Sequence, residues 1–117
     1  MKKIIKFSVV GCGRIFKKHL NFFETTKINS VELISVCDTN PRALTNIKSS
    51  LNFKKFQSLV SMLKETSPDV VIILTHSGSH YEIFKIIEKY KKHTIIEKPL
   101  ALKFDHAKKM INISKKK

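Results

Sequence analysis

Apolar positions along the chain alternate between short runs and helical spacing. Ile4 to Val10 is an apolar run stopped by Gly11, and it reads as a buried strand. Ile15, Phe16, His19, Leu20 and Phe23 recur at helical spacing and predict an amphipathic helix from about Arg14 to Thr25. Val31 to Cys37 is a second strand. Asn40-Pro41 then resembles an N-cap followed by proline at the first helical position, opening a helix to about Ser50. Phe53 to Phe56 predicts a short third strand, and Ser58 caps a helix that places Leu59, Met62 and Leu63 on one face. Pro68-Asp69 breaks the chain before Val70 to Leu74, its most β-branched run. Ser79 begins a helix lined by Ile83, Phe84, Ile87 and Tyr90. His93 to Ile96 is a fifth strand, and Lys103 to about Ser114 is a last helix built on Phe104, Ala107, Met110 and Ile111. Strands alternating with helices of this length predict an α/β fold with a doubly wound parallel sheet, five strands being visible.

The chain has 117 residues, enough for one real core. With 42% hydrophobic residues it is not a wholly disordered protein. No apolar run approaches the ~18–20 residues of a membrane span, and the basic start lacks a small-residue cleavage site, so neither a membrane nor a secretory reading is favoured. Lys plus Arg is 23 against nine acids, a net charge of +14. That balance raises nucleic acid, an anionic membrane surface or a small anionic ligand as a partner, but only Lys115-Lys116-Lys117 forms a run and no aromatic residues interleave with a basic stripe. Cys12 and Cys37 are too few for a four-cysteine metal site and form no Cys-x-x-Cys pair. Reduced, buried thiols in a cytoplasmic protein are the expectation. No histidine pair has the spacing of a metal site, and Ser77 and Ser79 have no evident base for nucleophilic chemistry.

In sheets of this kind ligands bind at the carboxyl ends of the strands. The first strand ends in Gly11-Cys12-Gly13-Arg14-Ile15-Phe16, two-thirds of the G-x-G-x-x-G fingerprint, with Phe16 at the third small position. Glycine at 11 permits a tight turn, glycine at 13 lets a pyrophosphate approach the backbone, and the helix start offers free N–H groups to it. Asp38 ends the second strand. A carboxylate there accepts hydrogen bonds from adenosine ribose hydroxyls and repels a 2′-phosphate. It can equally cap the turn Asp38-Thr39-Asn40-Pro41. Asp38 therefore predicts NAD, with Arg42 keeping NADP open.

At this point the chain resembles a known family. Val9-Val10-Gly11-Cys12-Gly13-Arg14-Ile15 followed by His19 is similar to the opening of the glucose–fructose oxidoreductase, inositol dehydrogenase and rhizopine catabolism (Gfo/Idh/MocA) family. Asp69-Val70-Val71-Ile72-Ile73 and Thr75-His76-Ser77-Gly78-Ser79-His80 resemble its fourth strand and Thr-Pro-Asn/Ser-x-x-His loop. Lys92-His93-Thr94-Ile95-Ile96-Glu97-Lys98-Pro99-Leu100-Ala101 matches its most diagnostic segment. The resemblance spans essentially the whole chain. Departures are Phe16, His76 in place of proline, Lys91 in place of glycine, and Lys103 in place of a capping hydroxyl.

The resemblance implies a Rossmann domain for an NAD(P)-linked oxidation of a CH–OH group in a sugar, sugar acid, sugar nucleotide or cyclitol. It implies Lys98 as the catalytic residue beside the reacting carbon. It implies Gly11, Cys12, Gly13, Arg14, Ile15, Asp38, Thr75, His76, Ser77, His80, Glu97 and Lys98 as the cofactor-binding set. Residues 1–117 are then read as a dinucleotide-binding domain truncated before a sixth strand and the substrate domain, so the chain alone is expected to be inactive and to self-associate. The alternatives are a non-catalytic nucleotide- or sugar-sensing module and, less favoured, a basic nucleic-acid-binding module.

Overall fold

The computed structural model describes residues 3–96. Within them lie β1 (Ile5–Val10), α1 (Phe16–Thr25), β2 (Val31–Cys37), α2 (Pro41–Thr45), β3 (Lys54–Phe56), α3 (Leu59–Thr66), β4 (Val70–Ile73), a 3₁₀ turn (Ser77–Ser79), α4 (His80–Lys89) and β5 (His93–Ile96). Every strand pairing is parallel, and the sheet runs β3-β2-β1-β4-β5. Parallel neighbours need a crossover, and the helices supply it. The helix expected over 103–114 lies outside the described residues.

Strand residues that point to opposite faces build two cores. Val9, Leu33, Val36 and Ile72 pack with Phe16 and Leu20 of α1 and Leu44 of α2 on one face. Val10, Cys37, Val71 and Ile73 pack with Met62 and Leu63 of α3 and Phe84 and Ile87 of α4 on the other. Burial on both faces explains why the strands read as continuous apolar runs rather than alternating ones. The register between β1 and β2 slips after Phe7, so that Ser8 faces Ser35. Their buried hydroxyls bond to each other, and Ser35 Oγ bonds Thr66 Oγ1 at 3.0 Å.

The caps expected at two helices are formed. The Asn40 side chain accepts from Arg42 N at 3.0 Å, with Pro41 at the first position, and Ser58 Oγ accepts from Ser61 N at 3.2 Å. Two boundaries differ from the expectation. α1 starts at Phe16 because Phe16, Lys17 and Lys18 N–H donate three residues back, to Gly13, Arg14 and Ile15 carbonyls, a tighter turn than α-helix. α2 stops at Thr45 rather than near Ser50. Beyond it Ser49 Oγ donates to Glu24 Oε2 at 2.6 Å and accepts from Leu51 N, so local side-chain bonds replace helical ones.

Candidate functional site

The order of the sheet reverses between β1 and β4, and the carboxyl ends of the strands open there into a cleft of about 550 Å³. Its walls come from Gly11, Gly13, Asp38, Thr75, His76 and Ser79, with Leu59, Ile83 and Ile86 adding an apolar side. This is the crevice expected at a topological switch point.

Gly11 sits at φ +100°, where side chains are rarely tolerated. A Cβ on it would lie 2.8 Å from both Leu74 C and Thr75 N, so the turn presses flush against the end of β4. The turn is tied on both sides: Gly11 N donates to Cys37 O at 2.8 Å, and Leu74 N donates to Val10 O at 2.7 Å. Gly13 is the opposite case. Its φ is ordinary and a Cβ there would meet nothing within 4 Å. Neither backbone strain nor a protein neighbour requires glycine at 13, whereas a group approaching the backbone from the cleft would. Among the described residues, the N–H groups of Gly13, Arg14 and Ile15 make no hydrogen bond. Three adjacent free donors at a helix start suit an anion such as a pyrophosphate.

Asp38 leaves β2 between the glycine turn and β3. Its Oδ2 accepts from Cys12 N at 2.9 Å, its Oδ1 accepts from Asn40 N at 2.8 Å, and its own N–H donates to Phe56 O at 3.0 Å. Turn capping and ribose binding are therefore not exclusive readings. Each carboxylate oxygen accepts about two hydrogen bonds, and one place on each remains. The two backbone donors hold the carboxylate still, with a free acceptor on both oxygens for a vicinal diol.

Both thiols are free and buried at this same corner. Burial, then the charge of Asp38, pushes the Cys12 thiol up to about 12 and the Cys37 thiol up to about 11. Neither is a nucleophile at neutral pH.

The model of the Gfo/Idh/MocA family, described as an oxidoreductase family with an NAD-binding Rossmann fold, matches residues 5–117. The chain belongs to this family. It is an NAD-binding Rossmann domain. An inositol 2-dehydrogenase/D-chiro-inositol 3-dehydrogenase of Lactiplantibacillus plantarum is 30% identical over 117 residues, covering 97% of this chain and 33% of that relative. Among solved structures, the WlbA dehydrogenase from Bordetella pertussis in complex with NADH and UDP-GlcNAcA matches with a TM-score of 0.89 at 32% identity, over 97% of this chain and 35% of the other. Scyllo-inositol dehydrogenase from Lactobacillus casei with bound NAD(H) and scyllo-inositol matches with a TM-score of 0.85 at 27% identity, over 97% of this chain and 34% of the other. The chain thus spans about a third of the length of the family members it matches.

The residues singled out from the sequence fall into four groups. Gly11, Gly13, Asp38, Thr75 and His76 line the cleft. Cys12 and Arg14 line a neighbouring groove between α1 and α2, reaching the site through the Cys12 N–H bond to Asp38, and Ile15 is exposed at the start of α1. Ser77 opens the 3₁₀ turn beside the cleft, while His80 is buried under that turn at 1% exposure. Glu97 and Lys98 lie outside the described residues. Sequence reading missed Leu59, Ile83 and Ile86 as cleft walls, because half-buried apolar positions on α3 and α4 carry the same helical spacing as core ones. Among the described residues, no three His, Cys, Asp or Glu side chains come together to hold a metal, and no helix is long and apolar enough to cross a membrane.

Proposed function

We propose that residues 1–117 form the cofactor-holding part of an NAD-dependent oxidoreductase acting on a ring CH–OH group of a sugar, sugar acid, sugar nucleotide or cyclitol. The observation that carries the proposal is the Asp38 carboxylate, fixed by Cys12 N and Asn40 N with one acceptor place free on each oxygen, beside the open Gly13. The inositols on which two of the relatives act, and the nucleotide sugar bound by a third, support the substrate class. In this reading the free N–H groups of Gly13, Arg14 and Ile15 take the pyrophosphate, Asp38 takes the adenosine ribose, and Thr75, His76 and Ser77 wall the nicotinamide side. A bound nicotinamide supplies the hydride-accepting ring. The roles proposed for Glu97 and Lys98 follow from the family resemblance: Glu97 would serve the nicotinamide ribose or Lys98, and the Lys98 ammonium would stabilise the developing charge on the substrate oxygen or move its proton. The walls that hold a substrate against that ring belong to a second domain, and β5, with Ile95 half exposed, is proposed as an edge along which two chains associate.

The test is titration calorimetry with NAD and NADP. Asp38 predicts tighter binding of NAD, and Asp38→Ala is expected to weaken it by roughly 1–3 kcal/mol, the scale of a lost charge-assisted hydrogen bond. Equal or tighter binding of NADP by the unmodified chain would overturn the assignment of Asp38 and turn attention to Arg42.

A further inference from the structure

His80 belongs by sequence to the cofactor loop, yet its side chain is 1% exposed and does not line the cleft. A group so placed cannot recognise a cofactor by contact. What it does touch is informative: Nε2 lies 2.8 Å from the Thr75 carbonyl oxygen. A carbonyl only accepts, so His80 Nε2–H is the donor. Thr75 is also the residue on which the glycine turn rests. A Cβ on Gly11 would be 2.8 Å from Thr75 N and 3.0 Å from Thr75 Cγ2, so there is no slack between the turn and the Leu74–Thr75 peptide. On its other side Thr75 Oγ1 is bonded by Ser79 Oγ at 2.6 Å, and Ser79 Oγ is 2.8 Å from the His76 carbonyl. His80, the buried first residue of α4, and Ser79 just before it thus hold the carbonyl and the hydroxyl of Thr75, and Thr75 in turn seats Gly11.

From this we propose that His80 is a positioning residue for the glycine turn: its Nε2–H fixes Thr75 by its carbonyl, and Thr75 sets where the turn that starts at Gly11 presents the free N–H groups of Gly13, Arg14 and Ile15. This deepens the dinucleotide reading above and rests on it. In a close-packed interior a displaced peptide is passed on to its neighbour rather than absorbed. Losing the His80 donor therefore reaches the turn through Thr75, without any contact between His80 and the cofactor. The role needs a donor at the depth of Nε2.

The experiment compares His80→Phe, which keeps ring volume and loses the donor, with His80→Gln, whose Nε2 amide restores a donor at similar reach. NADH binding is read by fluorescence titration, thermal stability by circular dichroism, and the turn by the amide signals of a ¹⁵N spectrum. The chain has only three glycines, so the signals of Gly11 and Gly13 stand nearly alone in their region. We expect NADH affinity to fall about tenfold in His80→Phe, the lower range for groups that hold a binding residue in place, and to stay within about threefold of the unmodified chain in His80→Gln. The Gly11 and Gly13 signals should move in His80→Phe and return in His80→Gln. Unchanged affinity in His80→Phe, or equal weakening in both variants, overturns the inference. Should His80→Phe fail to fold, His80→Asn, whose amide is too short to reach Thr75 O, replaces it under the same criteria. Absence of NADH binding by the unmodified chain would sink the dinucleotide reading instead, while the glycine signals would still decide whether His80 controls the turn.

Discussion

Cys12 and Cys37 show how much one polar neighbour and a few ångströms of cover change a side chain. Both are buried where β1 and β2 end, beside Asp38, and both thiols are pushed above their ordinary value near 9, to about 12 and about 11. The folded chain thus keeps these protons to higher pH than the unfolded chain does. Their contribution to stability is whole below about pH 9 and is lost as the pH climbs through the folded values. Urea unfolding followed from pH 8 to pH 11 should show a decline that is shallower in the Cys12→Ala, Cys37→Ala double variant; identical slopes would refute it. The sequence identified both thiols as reduced and buried from their place at strand ends. It also singled out Asp38, because a carboxylate after the second strand has few other uses beside two upstream glycines. His80 was legible only as part of a motif. Spacing assigns it to a loop but not to the wall or the support of that loop, which depends on how the first turn of α4 packs under β4.

The elements themselves were largely readable, since strands buried on both faces write themselves as apolar runs and Asn40-Pro41 and Ser58 mark helix starts. The ends were less so. α2 was expected to run to Ser50, but the bond from Ser49 to Glu24 of α1 depends on a residue far away in the chain, which local spacing does not register. Helix exits at the amino-terminal side of the sheet carry a different lesson. α3 leaves through Ser67 at φ 45°, and the residue after the α4 cap, Lys91, sits at φ 56°. A side chain in that conformation costs about 1–2 kcal/mol, and glycine avoids it. Lys91 is also the position where the family has glycine. Lys91→Gly is therefore expected to stabilise the chain by about 0.5–1 kcal/mol after glycine's entropic cost, measured as a raised urea midpoint. A lowered midpoint would mean that the lysine side chain contributes more than its backbone loses.

At the scale of the molecule, the described residues supply the cleft at the strand ends, and the proposed reading assigns the walls that clamp a sugar to a second domain. Reaction needs the donor carbon held at about 3–3.5 Å from its acceptor. The 117-residue chain is accordingly expected to bind NADH but to show no turnover when assayed for NAD reduction against sugars, sugar acids and cyclitols; steady turnover by a monomer in the ultracentrifuge would contradict both the proposed division of labour and the proposed edge association. The all-parallel sheet has a further consequence, in time rather than space. β1 is the central strand, yet its β4 partner comes much later: Lys6 N–H bonds the side chain of Asp69, 63 residues on, just before Phe7 pairs with Val70. At synthesis rates of ~5–20 residues per second, a ribosome takes roughly 3–13 s to deliver that partner. For those seconds the nascent chain carries Phe7, Val9 and Val10 on a strand with at least one side unpaired, a hydrophobic segment open to chaperones at the tunnel exit.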